Sequence, residues 1–356
     1  MGIAAAQTMP LKRVTRRSKI KRDFSAFFIH VSITAFRGAM KTVLVTGGAG
    51  FIGSHLCDRL LKEGMLVICV DNFITGNREN IAHLLENKNF RLIEADASQP
   101  TERYLKGYPS IDEIYHLASP ASPRGYQDAP IETYLVNSLG THYLLICAQK
   151  HHSMFLFAST SEVYGDPKQH PQKEDYWGNV NPRGVRACYD ESKRFGEMAC
   201  MVFYRQYGLD VRMVRIFNTY GPRMDPRDGR VIPNFVTQAL KNAPITVYGN
   251  GSQTRSFCYV SDMVEGILRA MRTPKTKGQV FNIGNPDEYT MLKLAKNIKK
   301  AVGSSSRIIF ADLPEDDPSR RKPDISRAKR ILGWSPKISL EEGLRPTIAY
   351  FKNQLL

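Results

Sequence analysis

Tyr189 and Lys193 stand four positions apart in Tyr189-Asp190-Glu191-Ser192-Lys193, which on a helix places both side chains on one face. A phenol with a pKa of about 10 is a poor base near neutrality, and an adjacent ammonium stabilises the phenolate and lowers that value. The spacing therefore predicts a tyrosine that takes a proton from a substrate hydroxyl, with Lys193 as its charge partner. Upstream, the apolar run 154–158 ends in Ser159-Thr160-Ser161-Glu162-Val163-Tyr164-Gly165. Small hydroxyl residues at the carboxyl end of a parallel strand point into a ligand crevice, so Thr160 is expected on the same substrate hydroxyl as Tyr189.

Proton transfer of this kind pairs with hydride transfer, and the chain carries the elements for a hydride acceptor. Residues 41–46 read Lys-Thr-Val-Leu-Val-Thr, a β-branched run suited to a buried parallel strand. It leads directly into Gly47, Gly50 and Gly53, spaced three apart. Gly47 permits a tight turn, Gly50 lets the backbone approach a pyrophosphate, and Gly53 allows close packing of strand and helix. A helix pattern follows, with Ile52, Leu56, Leu60 and Leu61 on one face and Gly64 at its end. The next strand, 66–70, closes on Asp71. A helix N-terminus suits phosphates, and a carboxylate at Asp71 suits ribose hydroxyls while repelling a 2′-phosphate, so NAD is the expected cofactor.

Both motifs resemble the extended short-chain dehydrogenase/reductase family, whose members make and remodel nucleotide sugars. Further matches are 91–96, similar to the third strand, with Asp96 toward the adenine, 111–118, similar to the fourth, and Asn137 on the helix after it. The resemblance implies an α/β fold: a Rossmann-type, doubly wound parallel sheet with a smaller C-terminal α/β substrate lobe. Residues 40–218 would form the NAD-binding domain with the catalytic pair. Residues 219–356 would mainly bind the nucleotide sugar, some segments returning to the first domain. It also implies cofactor contacts from Phe51, Ile52, Asn72, Phe73, Thr75, Gly76, Ala97, Leu117, Ala118 and Ser119, with Tyr189 and Lys193 at the nicotinamide end.

The residues after the serine strand separate the branches of that family. The 4,6-dehydratases carry Thr-Asp-Glu there, and the 4-epimerases lack the Glu. Thr160-Ser161-Glu162 keeps the acid and replaces Asp by Ser, a pattern similar to the UDP-glucuronate decarboxylases, or UDP-xylose synthases. So are 117–123, 174–182, 186–190, 216–224 and 247–257. The branch implies oxidation of UDP-glucuronate at position 4, loss of carbon dioxide and return of the hydride, so that NAD is regenerated in each cycle. Arg255 would then hold the uronic carboxylate, Glu162 would order a water or assist the ring, and Ser161 would help protonation. Asn218, Arg223 and Arg321 would lie near the diphosphate, with Val231, Tyr248 and Gln253 near the uridine. A homodimer packed through the helices bearing Asn137 and Tyr189 is implied as well. One departure is Leu135, where related sequences carry a basic residue. A 4-epimerase, a 4,6-dehydratase and a non-catalytic NAD-binding regulator remain as alternatives.

Bulk properties narrow the rest. The formal charge is +16, but residues 1–39 hold eight Lys/Arg against one Asp; this tail carries +7 and leaves +9. A moderately basic body suits phosphate-rich ligands. No RNA-binding aromatic motif accompanies the basic tail, so a nucleic-acid partner is not expected. The apolar stretch 24–36 is shorter than the ~20 residues of a spanning helix, so no membrane span is expected. The tail is expected to lie outside the fold, as a targeting leader or because Met40 is the true start. None of the six cysteines forms a CxxC pair, which favours free thiols in a reducing, cytoplasmic setting and no metal site.

Overall fold

The computed structural model describes residues 40–313 and 320–355. The expectations for the tail 1–39 lie outside them. Seven strands form one all-parallel sheet: β1 Thr42–Thr46, β2 Leu66–Asp71, β3 Phe90–Glu94, β4 Glu113–His116, β5 Met154–Thr160, β6 Val211–Ile216 and β7 Gln279–Ile283. Their spatial order is β7-β6-β5-β4-β1-β2-β3. This is the Rossmann-type doubly wound arrangement that the sequence predicts.

Why the central strands are continuously apolar is clear from β1. Val43, Leu44 and Val45 are fully buried, and alternate side chains point to opposite faces of the sheet. Val43 and Val45 pack with helices α1 (Phe51–Lys62) and, from further along the chain, Val260–Arg272. Leu44 packs on the other face, with α2 (Thr141–His151) and α3 (Ala187–Tyr207). The order reverses between β1 and β4, where β1 has β2 on one side and β4 on the other. Ligand crevices in such sheets open at that switch point, beyond the carboxyl ends of the strands.

Two strands are shorter or shifted relative to expectation. β3 ends at Glu94 and β4 at His116, so Asp96 and the stretch 117–119 fall on loops past the strand ends. That places them on the rim of the crevice rather than inside the sheet.

A second core is built by α4 (Val231–Leu240), α6 (Met291–Val302) and α7 (Leu340–Leu355), where α5 denotes Val260–Arg272. It also includes Ile245 and Val247, from a strand paired in parallel with Ile308–Ala311. The strand Thr254–Ser256 is flanked by Glu288–Thr290, antiparallel, and by Arg320–Arg321, parallel. Among the described residues no helix is long and apolar enough to cross a membrane.

β7 fastens the C-terminal segment to the sheet through one buried side chain. The Asn282 amide nitrogen Nδ2 donates to the carbonyls of Gln172 (3.0 Å) and Asp324 (3.2 Å). Its Oδ1 accepts from the Tyr164 hydroxyl at 2.8 Å, and its backbone N–H donates to Glu174 Oε1 at 3.0 Å. Gln172 in turn pairs with Lys322: its N–H donates to the Lys322 carbonyl at 2.9 Å, and its Oε1 accepts from the Lys322 N–H at 2.8 Å. Asn282→Leu is expected to strand these buried partners and lower the unfolding free energy by roughly 3–5 kcal/mol, read from the denaturant midpoint at unchanged slope.

Candidate functional site

The glycine turn shapes one end of a cleft of about 1030 Å³ that runs along the carboxyl edge of the sheet. Gly47 has φ +74°, and a Cβ there would lie 2.7 Å from the Ala118 nitrogen, so only glycine fits between the β1 and β4 ends. A Cβ on Gly53 would run into the Gly47 carbonyl oxygen and lie 2.9 Å from Gly48 Cα. Gly50 caps α1 without a side-chain bond, which leaves the first-turn N–H groups directed at the cleft. Asp71, at the end of β2, accepts from the N–H groups of Ala49 and Phe73, each at 2.9 Å. Burial nevertheless pushes its pKa up, with these two bonds opposing the rise. Asn80 secures the turn from below by donating to the Ala49 carbonyl at 3.0 Å. A pocket lined by bare backbone at the turn and by a held carboxylate at its far rim fits a dinucleotide.

At the other end, Thr160 closes β5 and its Oγ1 accepts from the Glu162 N–H at 3.2 Å. Tyr189 sits in the first turn of α3, beside the Thr160 hydroxyl and stacked on Tyr126 with centroids 5.1 Å apart. Lys193 follows one turn later; its Nζ donates to the Ala158 carbonyl at 2.7 Å and lies 5.8 Å from the Tyr189 ring centroid. The anticipated depression of the Tyr189 pKa is not what this arrangement produces. Burial pushes the phenol up, the Thr160 hydroxyl pulls it down by less, and burial lowers Lys193 to about 7. Desolvation outweighs the cation because the ammonium is turned toward a backbone carbonyl. Asn137 lies in a single π-helical turn, Val136–Gly140, and its Nδ2 reaches both Ser119 Oγ (3.0 Å) and Ser192 Oγ (3.1 Å). His116, bonded to Thr46 Oγ1 at 2.8 Å, is lowered to about 3 by burial and stays neutral beneath Lys193.

Between these ends lies a charged wall. Glu162 accepts from Arg186 Nη2 on one carboxylate oxygen and from Arg321 Nη1 on the other. Burial alone would raise its pKa, but the two guanidiniums hold it at about 2. Arg255, buried and donating to the Thr254 carbonyl at 2.9 Å, is in register with Arg321 on the neighbouring strand and lines the same cleft. Arg230, just ahead of α4, is clamped in a two-point pair with Asp228 at 2.5 and 2.7 Å.

Every residue assigned a role from sequence lines this cleft except Phe73, whose ring lies under Arg78, 4.1 Å from its guanidinium carbon. Arg321, expected near a phosphate, is placed on Glu162. Arg223, with φ +67°, pairs with Asp58 on α1 at 2.8 Å. Gln253 Nε2 donates to the Tyr248 carbonyl at 2.6 Å, and Asn218 accepts the Cys258 N–H at 2.9 Å. Ser161 is buried beside Thr160, and Val231 opens α4. Leu135 is half-buried and does not line the cleft. Sequence reasoning had assigned nothing to Tyr126, Arg186, Asp190, Arg230, His116 or Asn80. For Arg186 and Asp190 a signal existed, since positions three before and one after Tyr189 flank it on the helix.

The family model described as GDP-mannose 4,6 dehydratase matches residues 44–347. The chain is 50% identical over 315 residues to UDP-glucuronic acid decarboxylase 1 of Xenopus tropicalis, covering 88% of this chain and 73% of the relative. It is 52% identical over 313 residues to UDP-glucuronic acid decarboxylase 2 of Arabidopsis thaliana, covering 88% and 68%. Among solved structures it is similar to UDP-glucuronic acid 4-epimerase from Bacillus cereus in complex with UDP-glucuronic acid and NAD. The TM-score is 0.77 at 31% identity, covering 88% of this chain and 99% of that one.

The glycine turn leads to a direct expectation. Gly53→Ala should weaken dinucleotide binding by about two orders of magnitude or more, measured calorimetrically, because the added methyl must displace the Gly47 backbone on which the phosphates would rest.

Proposed function

We propose, for a chain that belongs to the GDP-mannose 4,6 dehydratase family and within it to the UDP-glucuronic acid decarboxylases, that it converts UDP-glucuronate to UDP-xylose and carbon dioxide with bound NAD. The observation that carries this reading is the charged wall. Arg186 and Arg321 hold the ionised Glu162 directly beside Thr160 and Tyr189, and Arg255, in register with Arg321, lines the same cleft. A planar guanidinium can bind a sugar carboxylate through two oxygens, which suits this wall to a uronic acid.

NAD bound along the glycine turn and Asp71 supplies reversible oxidation at position 4 of the sugar. Tyr189, beside Thr160, acts in its ionised form, which the Lys193 ammonium favours against the effect of burial; it accepts the proton of the 4-hydroxyl and returns it at the end of the cycle. A ketone at position 4 lies β to the uronic carboxylate. As carbon dioxide leaves, the bonding electrons pass into the ketone, and the oxyanion that forms is met by the hydroxyls of Tyr189 and Thr160. One proton then enters at position 5, so the net reaction consumes UDP-glucuronate and one proton and releases UDP-xylose and carbon dioxide. Ser161 and Glu162 are the residues of this chain nearest that task. Arg255 holds the carboxylate, while Asn218, Arg223, Val231, Tyr248 and Gln253 receive the nucleotide. The six free thiols fit a reducing compartment such as the cytoplasm.

A homodimer belongs to the same reading. Ile131, Tyr134, Leu139 and Ile146 form one exposed apolar stripe over the segment leading into and along α2. Phe195, Met198 and Val202, at helical spacing, form a second on α3. These segments pack against each other, and a second copy of the chain would cover both stripes. Met198→Glu should shift the mass measured by light scattering from dimer to monomer.

Product analysis by mass tests the activity. Incubation with UDP-glucuronate and NAD is expected to give UDP-xylose and carbon dioxide with no net reduced cofactor; UDP-galacturonate without carbon dioxide would instead mark an epimerase. Tyr189→Phe should lower turnover by about 10²–10⁴-fold. Arg255→Ala should keep NAD binding and lose turnover of the uronate by a similar factor.

A further inference from the structure

Two thiols that the reaction does not use lie against the underside of the glycine turn. Cys57 is on α1 and Cys69 is in β2, two residues before Asp71; the two elements pack together, and both side chains are fully buried. A Cβ on Gly48 would stand 2.5 Å from Cys69 Sγ and 3.2 Å from Cys57 Sγ. The two sulfurs are therefore at most 5.7 Å apart, those distances taken end to end. Cys57 Sγ also lies 3.9 Å from the Gly48 carbonyl oxygen. The Cys69 side chain first and burial second push the Cys57 thiol well up, and the carboxylates of Asp58 and Asp71 act in the same direction.

The turn above these sulfurs has no slack. Gly47 is wedged against the Ala118 backbone, and Gly53 against the Gly47 carbonyl. Gly48 rests directly on both thiols. A disulfide would draw the sulfurs to about 2.05 Å and pull α1 toward β2. In a close-packed interior that movement passes to the backbone resting on the pair. The backbone in question is the one on which the phosphates of a dinucleotide would lie.

Resting on the NAD reading, we propose that Cys57 and Cys69 form a reversible disulfide beneath the glycine turn and that this bond lowers affinity for NAD. The oxidant is a peroxide, small enough to enter a packed site. It converts one thiol to a sulfenic acid with release of one water. The second thiol then attacks that sulfur, the S–S bond forms and another water leaves, so two thiols and one hydrogen peroxide give one disulfide and two waters. Thiol reductants reverse the bond by exchange. Both sulfurs are sealed in and Cys57 is held protonated, so oxidation proceeds through openings of the turn, which NAD lying across it would suppress. In a reducing compartment such a bond is transient and redox-sensing rather than structural. By reciprocity, bound NAD favours the dithiol by the same factor by which the disulfide weakens NAD.

The test treats NAD-free protein with hydrogen peroxide, maps its peptides without reduction and measures NAD binding by calorimetry. Tryptic peptides 42–59 and 63–78, each carrying one of the two cysteines, should appear joined with loss of two hydrogens. The Kd for NAD should rise about tenfold and return on treatment with dithiothreitol. Saturating NAD should then raise the reduction potential of the pair by about 30 mV, the equivalent of tenfold for a two-electron couple. Cys69→Val, and Cys57→Ala as a second variant, should bind NAD as the reduced protein does and lose the response to peroxide, whereas Cys188→Ala should keep it. Absence of the joined peptides would overturn the inference, as would joined peptides with unchanged NAD affinity. A full peroxide response in Cys69→Val or Cys57→Ala would overturn it too, by placing the effect on another residue. Reduced protein that binds no NAD would remove the cofactor reading and the coupling with it, whether or not the joined peptides form.

Discussion

Glu162 is held by two guanidiniums that reach it from distant parts of the chain, and the site closes around that triad. Glu162 lies in the turn after β5, Arg186 immediately ahead of α3, and Arg321 in a two-residue strand near the C-terminus. Removing one member of a buried ion group leaves an uncompensated charge, which costs far more than the pairing gains over an apolar contact. Correct docking of the Arg320–Arg321 strand is therefore coupled to a formed site. The hydrogen bonds from Asn282 and Gln172 serve that docking, since they hold Lys322 and Asp324, just after the strand, in place beside the sheet. Folding and site assembly are one event in this region.

Desolvation sets the electrostatic character of everything around the triad. Tyr189, Lys193, Asp190 and His116 all shift toward their neutral forms because each is buried. Glu162 and Arg230 move the other way, because opposite charges touch them. In such surroundings a placed hydroxyl or guanidinium acts with little screening, and the few charges that survive dominate. The charges that survive here are paired ones, Glu162 with Arg186 and Arg321 and Arg230 with Asp228.

The scaffold does not decide the reaction. A similar fold serves the 4-epimerase of Bacillus cereus at 31% identity, so the fold alone does not fix the chemistry. In the function proposed for this chain the deciding side chains are Ser161 and Glu162 after β5 and the arginines that converge on Glu162. An epimerase and a decarboxylase can share an identical proton-transfer pair and differ in how they hold and strain the carboxylate.

What could be read from the chain was local. The strand, glycine turn, helix and Asp71 follow one another without interruption, and each depends on neighbours within a few positions. The Tyr189–Lys193 pair is legible because helical periodicity alone puts both on one face. The serine strand is legible because a parallel strand ends at the crevice. Partnership between distant charges was not. Nothing in the spacing of Arg321 distinguishes a phosphate ligand from a clamp on Glu162, because its partner lies 159 positions away. The direction of the Tyr189 shift was hidden for a related reason. An ammonium four residues away argues for a lowered pKa, and only the packed surroundings reveal that Lys193 turns to the Ala158 carbonyl and that burial prevails. Helix, turn and strand preferences arise from each residue and its near neighbours, whereas solvation and charge pairing are sums over whatever the fold brings close.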